Sequence, residues 1–127
     1  MSTYDRNVQK YKQQSVNTMT QGELLLLLYD ELVKRLTQAE LMLDKELFSE
    51  FENTVQRASD IVQYLNDTLD QQYPISRDLA KLYEYFIYEL GRAKIGRHKE
   101  PLTHVKEKAA ELRDAFRVAQ KSGDSEK

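Results

Sequence analysis

The chain has 127 residues with a formal net charge of −2, and 31% of its residues are charged. This balance excludes a general electrostatic drive toward nucleic acid or an anionic membrane, and the absence of Cys excludes disulfides and thiol nucleophiles. The length suits one domain with a real core, and no apolar run approaches the roughly 18 residues that span a bilayer. The amino terminus also lacks the apolar core of a secretory signal, so we expect a cytoplasmic protein with no inserted membrane segment.

Residues 1–19 form a leader that precedes the first strong helix signal. Tyr4, Val8 and Tyr11 are spaced four and three residues apart, which would place them on one side of a short helix. The segment is too short and too polar to be a stable helix alone. We therefore predict a mobile leader, helical or extended, that becomes ordered only where its tyrosines and Val16 dock on the rest of the protein.

Two helices are predicted in the first half of the chain. Thr20 and Glu23 match a capping box, in which each side chain accepts a hydrogen bond from a backbone N–H group, so the first helix begins there. It extends to about Leu43. Apolar residues then recur at three-and-four spacing from Leu47 to about Asp70, which predicts the second helix.

Two further helices are predicted in the second half. Ser76 suits the N-cap of the third helix, and Gly96 is its expected stop. Pro101 fits the first turn of the fourth, and the polar residues 122–127 are expected to form a disordered tail. Because the connections are short, successive helices become antiparallel neighbours. The predicted fold class is all-α, an antiparallel up-down four-helix bundle over residues 20–121.

The six residues Leu24 to Tyr29 are more apolar than one helix face can hold. With Leu32 at the centre of the inward face, Leu26 and Val33 lie about 100–120° away on one side. Leu27 lies about 80–140° away on the other side. Either this helix is buried on several sides, or part of its surface is kept for an apolar partner.

Tyrosine is the other unusual feature, since the chain has eight Tyr and no Trp. The helical period places Tyr83 and Phe86 toward the core, whereas Tyr85 and Tyr88 fall about 100° and 160° from Phe86. A Tyr with a buried ring and a solvated hydroxyl is typical of interfaces. Scattered surface Tyr is also common, so both interpretations of these residues stay open.

Catalytic and metal-binding patterns are almost absent. His104 and Glu107 have a reversed His-x-x-Glu spacing, whereas a di-metal bundle site needs two Glu-x-x-His copies and two further inward carboxylates. There is no Gly-rich phosphate loop and no nucleophile-elbow motif. We therefore expect no metal, no cofactor and no enzyme activity.

A basic cluster lies in the last turns of the third predicted helix and in the connection after it, at Arg92, Lys94, Arg97, His98 and Lys99. Cations at a helix C-terminus complement the helix dipole, which is the simpler interpretation. The alternative is docking to an acidic segment of a partner.

Six segments occur in an order and spacing that resemble the flagellin-specific export chaperones of the bacterial flagellar type III system, the FliS family. The resemblance covers roughly residues 4 to 120, and its segments are Tyr11–Val16, Leu24–Asp30, Ala58–Val62, Leu65–Asp70, Leu79–Tyr85 and Leu112–Phe116. The chain departs from the family pattern at Glu31 and Phe116, where Gly and Trp are common, and at Tyr73-Pro74-Ile75, where the turn is usually Gly-rich.

The resemblance implies a cytoplasmic, non-enzymatic bundle that binds the disordered C-terminal segment of flagellin, prevents its premature polymerisation and aids its export. It also implies contact with the membrane protein of the export gate, and a leader whose Tyr11 covers part of the apolar surface until flagellin arrives. The residues expected to bind this client are Tyr11, Val16, Leu26, Leu27, Tyr29, Val33, Tyr64, Leu65, Leu69, Tyr83, Tyr85 and Tyr88. The alternative is a structural bundle that self-associates through the same leucines as an obligate dimer, and the chaperone itself could form a homodimer when free.

Overall fold

The computed structural model describes residues 19–125, and the regular structure of that range is entirely helical. Helix α1 spans Gln21–Asp44, α2 spans Phe48–Asp67, α3 spans Ile75–Gly96 and α4 spans Lys99–Ser125. Each helix packs against the next, and α4 packs against α1, which closes the ring of four. This confirms the predicted all-α antiparallel up-down bundle. The leader residues Tyr4, Val8, Tyr11 and Val16 lie outside the described residues.

Helix α1 begins as the capping pattern predicts. Thr20 has an extended backbone, and its hydroxyl accepts a hydrogen bond from the Glu23 N–H group at 3.1 Å. At the other end, Glu46 has a φ of 59°, in the left-handed region that favours glycine. This conformation reverses the chain in three residues, and the N–H group of Leu47 donates to the Met42 carbonyl at 2.9 Å.

The connection between α2 and α3 corrects the predicted N-cap at Ser76. Pro74 occupies the cap position with helical backbone angles, and the helix starts at Ile75. Ser76 therefore lies inside the first turn, where it is buried and its hydroxyl donates to the Asp70 carbonyl oxygen. The sequence could not show this because Pro74, with its restricted φ angle, starts the helix two residues earlier than an N-cap at Ser76 would.

The end of α3 differs from the prediction by one residue. Gly96 is the last helical residue, and the left-handed cap is Arg97, with a φ of 54°. A Cβ at position 96 would contact the exposed His98 ring, which would have to shift to accept a larger residue there. Pro101 lies in the first turn of α4, as predicted, and α4 continues to Ser125, four residues beyond the predicted end of the bundle.

The core is built from one apolar stripe of each helix. Helix α1 contributes Leu32 at the centre of its buried face, as its helical period predicts. The fully buried large side chains are Tyr29, Leu32, Leu36, Phe51, Val55, Val62, Tyr83, Phe86, Leu90, Leu102 and Val105. Burial of one such side chain contributes roughly 1.5–3 kcal/mol to the stability of the fold. The core therefore holds in place the helices that carry the surface residues.

Candidate functional site

An apolar cavity opens at the end of the bundle where α1 begins and α2 connects to α3. Its volume is about 320 Å³. Side chains from all four helices meet there, including Leu25, Leu65, Leu69, Leu79 and Phe116. Gln21 and Gly22 form part of its wall, so the first helix begins at the edge of the cavity. A cavity of this size, with few polar groups, is suited to apolar side chains of a partner.

Two exposed side chains at the edge of this cavity were missed by the sequence analysis. Tyr73 and Ile75 flank Pro74 in the α2–α3 connection, and both are largely exposed. An aromatic and a branched aliphatic residue in an exposed turn are unusual, because turns favour small and polar residues. That composition was the signal that could have indicated an apolar binding surface there.

Two tyrosines form a buried hydrogen-bonded pair in the core next to the cavity. Tyr29 and Tyr83 are almost completely buried, and their hydroxyl groups hydrogen-bond to each other. Burial raises the pKa of both hydroxyls above the ordinary value, so both stay neutral. The Tyr29 ring also lies 5.5 Å from the Phe116 ring, centroid to centroid. Tyr83 lines the cavity, whereas Tyr29 supports it from the core.

The leucine run of α1 is divided between the core and its edges. Leu24 to Leu28 are all partly buried, and Leu25 and Leu28 pack against the core. Val33 packs there too, although its angle predicts a position at the flank. Leu26 and Leu27 are partly buried and lie outside the core cluster of the described residues. They are thus the α1 members of the expected binding set that keep accessible apolar surface.

The three remaining tyrosines of that set are exposed on α2 and α3. Tyr64 is 47% exposed on α2. Tyr85 packs edge-on against His104 of α4, with 6.0 Å between the ring centroids. Tyr88 is 65% exposed and lies farther along α3, away from the cavity. The structure therefore brings Leu65, Leu69 and Tyr83 together at the cavity and leaves Tyr88 on a separate surface, while Tyr11 and Val16 lie outside the described residues.

Charged residues form the seam between α1 and α4. Lys106 and Thr103 donate hydrogen bonds to the Glu40 carboxylate; although burial alone would raise the pKa of Glu40, these bonds lower it. Lys99 pairs with Asp44 at 2.9 Å, and the hydrogen bond from Lys99 to Asp44 raises the pKa of the lysine. The polar seam and the apolar cavity are thus separate features of the bundle.

The described residues offer little for chemistry. Within residues 19–125, no group of three His, Cys, Asp or Glu side chains is placed to hold a metal ion. No helix of that range is long and apolar enough to cross a membrane. What the arrangement can do is bind apolar side chains at the cavity and along the neighbouring faces.

Comparisons with known proteins agree with this geometry. The sequence matches the family model described as flagellar protein FliS over residues 4–123. It is similar to the flagellar secretion chaperone FliS of Bacillus subtilis (strain 168), with 31% identity over 109 residues that cover 86% of this chain and 82% of that protein. Its fold is similar to that of a crystal structure of a flagellar chaperone from bacteria, with a TM-score of 0.77 and 16% identity, covering 92% of this chain and 97% of that one.

Proposed function

This chain belongs to the FliS family and is a flagellar secretion chaperone, and we propose that its client is the disordered C-terminal segment of flagellin. The chaperone holds this segment in the cytoplasm, prevents its premature polymerisation and passes it to the export gate of the flagellar apparatus. The observation that carries the proposal is the apolar cavity of about 320 Å³, which is open at the end of an otherwise closely packed bundle.

Binding of a disordered segment to such a surface requires no catalysis and no nucleotide. The client loses conformational entropy when it becomes ordered, and the burial of its apolar side chains compensates for that loss. The cavity accepts a first apolar anchor, and Leu26, Leu27 and Tyr64 offer further surface. A chain that wraps over several helix faces can use all of these positions in one complex.

The leader competes with the client for this surface. Helix α1 begins at the cavity edge, and Tyr11 is eight residues before Met19 in the sequence. Eight extended residues span at most about 26–29 Å, so Tyr11 can reach any part of the cavity. We propose that the leader covers the cavity in the free protein and is displaced by the client, which buries many more side chains.

Calorimetry with the isolated flagellin C-terminal segment tests the client assignment. We expect a one-to-one complex with a binding free energy of about −8 kcal/mol or better, and a negative heat-capacity change because apolar area is buried. The matched control is the same segment with its large apolar residues replaced by Ser. Absence of binding at protein concentrations of tens of micromolar would contradict the proposal. Sedimentation of the free protein tests the self-associating alternative.

A further inference from the structure

A second apolar surface lies on α3, away from the cavity. Tyr88 and Ile95 project from its outer face, and Ile95, at 87%, is the most exposed large hydrophobic residue of the described part of the chain. Gly91 lies between them at helical spacing, so the three residues form one stripe. Gly91 is twelve residues along the helix from Leu79 of the cavity, which is about 18 Å.

This stripe forms one wall of a continuous groove. A depression of about 520 Å³ follows Tyr88, Gly91 and Ile95 toward His98, and a second one of about 260 Å³ extends from Gly91 and Ile95 to Ser59 on α2. The two depressions share Ile87, Gly91 and Ile95. The groove therefore crosses from the outer face of α3 into the crease between α2 and α3, and Gly91 lies at its centre.

Nothing in the bundle requires a glycine at position 91. Its backbone is helical without a positive φ, and a Cβ placed there would meet no atom within 4 Å. Glycine in a helix interior destabilises it relative to alanine, so the fold alone would favour a larger residue. Because Gly91 has no side chain, the groove is deeper at this position, and another backbone can approach it closely.

The charged residues around the groove indicate the charge of the segment that binds there. Arg92 is paired with Glu89 at 3.0 Å, and Lys99 with Asp44. Lys94 donates to the neutral Gln56 side chain at 2.9 Å, and the Arg97 guanidinium lies 3.8 Å from the centre of the Phe48 ring. Neither Lys94 nor Arg97 forms an ion pair with a carboxylate of residues 19–121. Arg97 lines neither depression, whereas Arg92 and Lys94 do and no carboxylate of that range does, so the lining of the groove has an excess of positive charge.

We propose that this groove is a docking site for an amphipathic helix with an acidic flank, supplied by a partner protein other than the client. Its apolar face packs on Ile87 and Ile95 with a small residue over Gly91, and its acidic flank pairs with Lys94. A second copy of this chain fits less well, because a two-fold contact centred on the groove would bring the basic side chains of Arg92 and Lys94 in one copy close to those of the other.

The test uses two synthetic 18-residue helical peptides with the same Ala/Leu face, one with Glu and one with Lys along the flank. We expect the full chain to bind the acidic peptide at least tenfold more tightly than the basic one. Gly91→Leu should weaken the acidic peptide tenfold or more while the melting temperature stays the same or rises. Lys94→Glu should reduce the preference for the acidic peptide.

A matched control and a competition experiment make the result decisive. Lys81→Leu places the same side chain on the exposed face of α3 outside the groove and should leave acidic-peptide binding unchanged. Equal affinity for both peptides, or full binding by Gly91→Leu, would overturn the proposal. Displacement of the acidic peptide by the flagellin segment would also overturn it, because the groove would then belong to the client. A dimer of this chain that Gly91→Leu dissociates would overturn it as well. Because the peptides do not involve the client, failure here leaves the client assignment standing.

Discussion

Removal of one hydroxyl from the buried tyrosine pair is the perturbation whose consequence follows most directly from the structure. Tyr29→Phe leaves the Tyr83 hydroxyl buried without the partner that it now has, and Tyr83→Phe does the same to Tyr29. A buried polar group that loses its partner costs about 1–3 kcal/mol. The double Phe variant removes both polar groups and keeps the ring volume, so its free energy of unfolding should lie close to that of the unmodified protein.

A double-mutant cycle by urea denaturation measures this directly. We expect each single variant to lose about 1–3 kcal/mol and the double variant to lose no more than either single variant, so that the shortfall from the sum, which is the coupling between the two hydroxyls, is at least about 1 kcal/mol. Tyr64→Phe is the matched control, since the Tyr64 side chain is 47% exposed, and it should stay within about 0.5 kcal/mol. Additive single losses, with no coupling, would refute the claim that the hydroxyls satisfy one another.

Four further predictions follow from other parts of the structure. Leu26→Glu should weaken binding of the flagellin segment by at least tenfold in calorimetry and retain the helical circular-dichroism signal, whereas Leu32→Ala should cost about 2–5 kcal/mol of stability. Unfolding of Leu26→Glu would show that this side chain is core. Glu46→Gly should raise the free energy of unfolding by about 0.5–1 kcal/mol, because it relieves a left-handed non-glycine residue, and an unchanged urea midpoint would contradict this. The two buried tyrosines have raised pKa values in the folded protein. Their contribution to the free energy of unfolding is therefore complete at pH values below the ordinary tyrosine pKa of 10.0, and it is lost as the pH rises above that value. Urea midpoints should therefore fall between pH 8 and pH 10.5, and less so in the double Phe variant. Tyr11→Ala should weaken client binding, and the amide hydrogen exchange of residues 1–18 should change when the client binds; identical exchange and affinity would show that the leader is passive.

The helices themselves could be predicted from the sequence because their signals are local. The apolar period of α1 identifies Leu32 as the centre of its buried face, and Thr20 and Glu23 mark its start. The errors occur where two local signals compete. Ser76 is a strong N-cap residue, but Pro74 already has helical angles, and Gly96 is a strong stop, but Arg97 takes the left-handed position.

The surfaces could be predicted only in part because they depend on how the helices meet. The period places Leu65 and Tyr83 on inward faces, but only the packed bundle shows that their helices leave a cavity between them. A glycine at position 91 is visible in the sequence, yet only the structure shows that a Cβ there would meet empty space. Leu26 and Val33 have similar angles, and the structure separates them, since Val33 packs against the core.

The arrangement of the two surfaces along α3 has a consequence for how a chaperone of this kind can work. The cavity contacts α3 near Leu79 and the groove contacts it near Gly91, about 18 Å apart along the axis, with the buried side chains of Tyr83, Phe86 and Leu90 between them. A closely packed core of this kind holds both surfaces in fixed positions. Under the two proposals, a client anchored in the cavity leaves the groove accessible, and a second protein is expected to bind the loaded chaperone without release of the client.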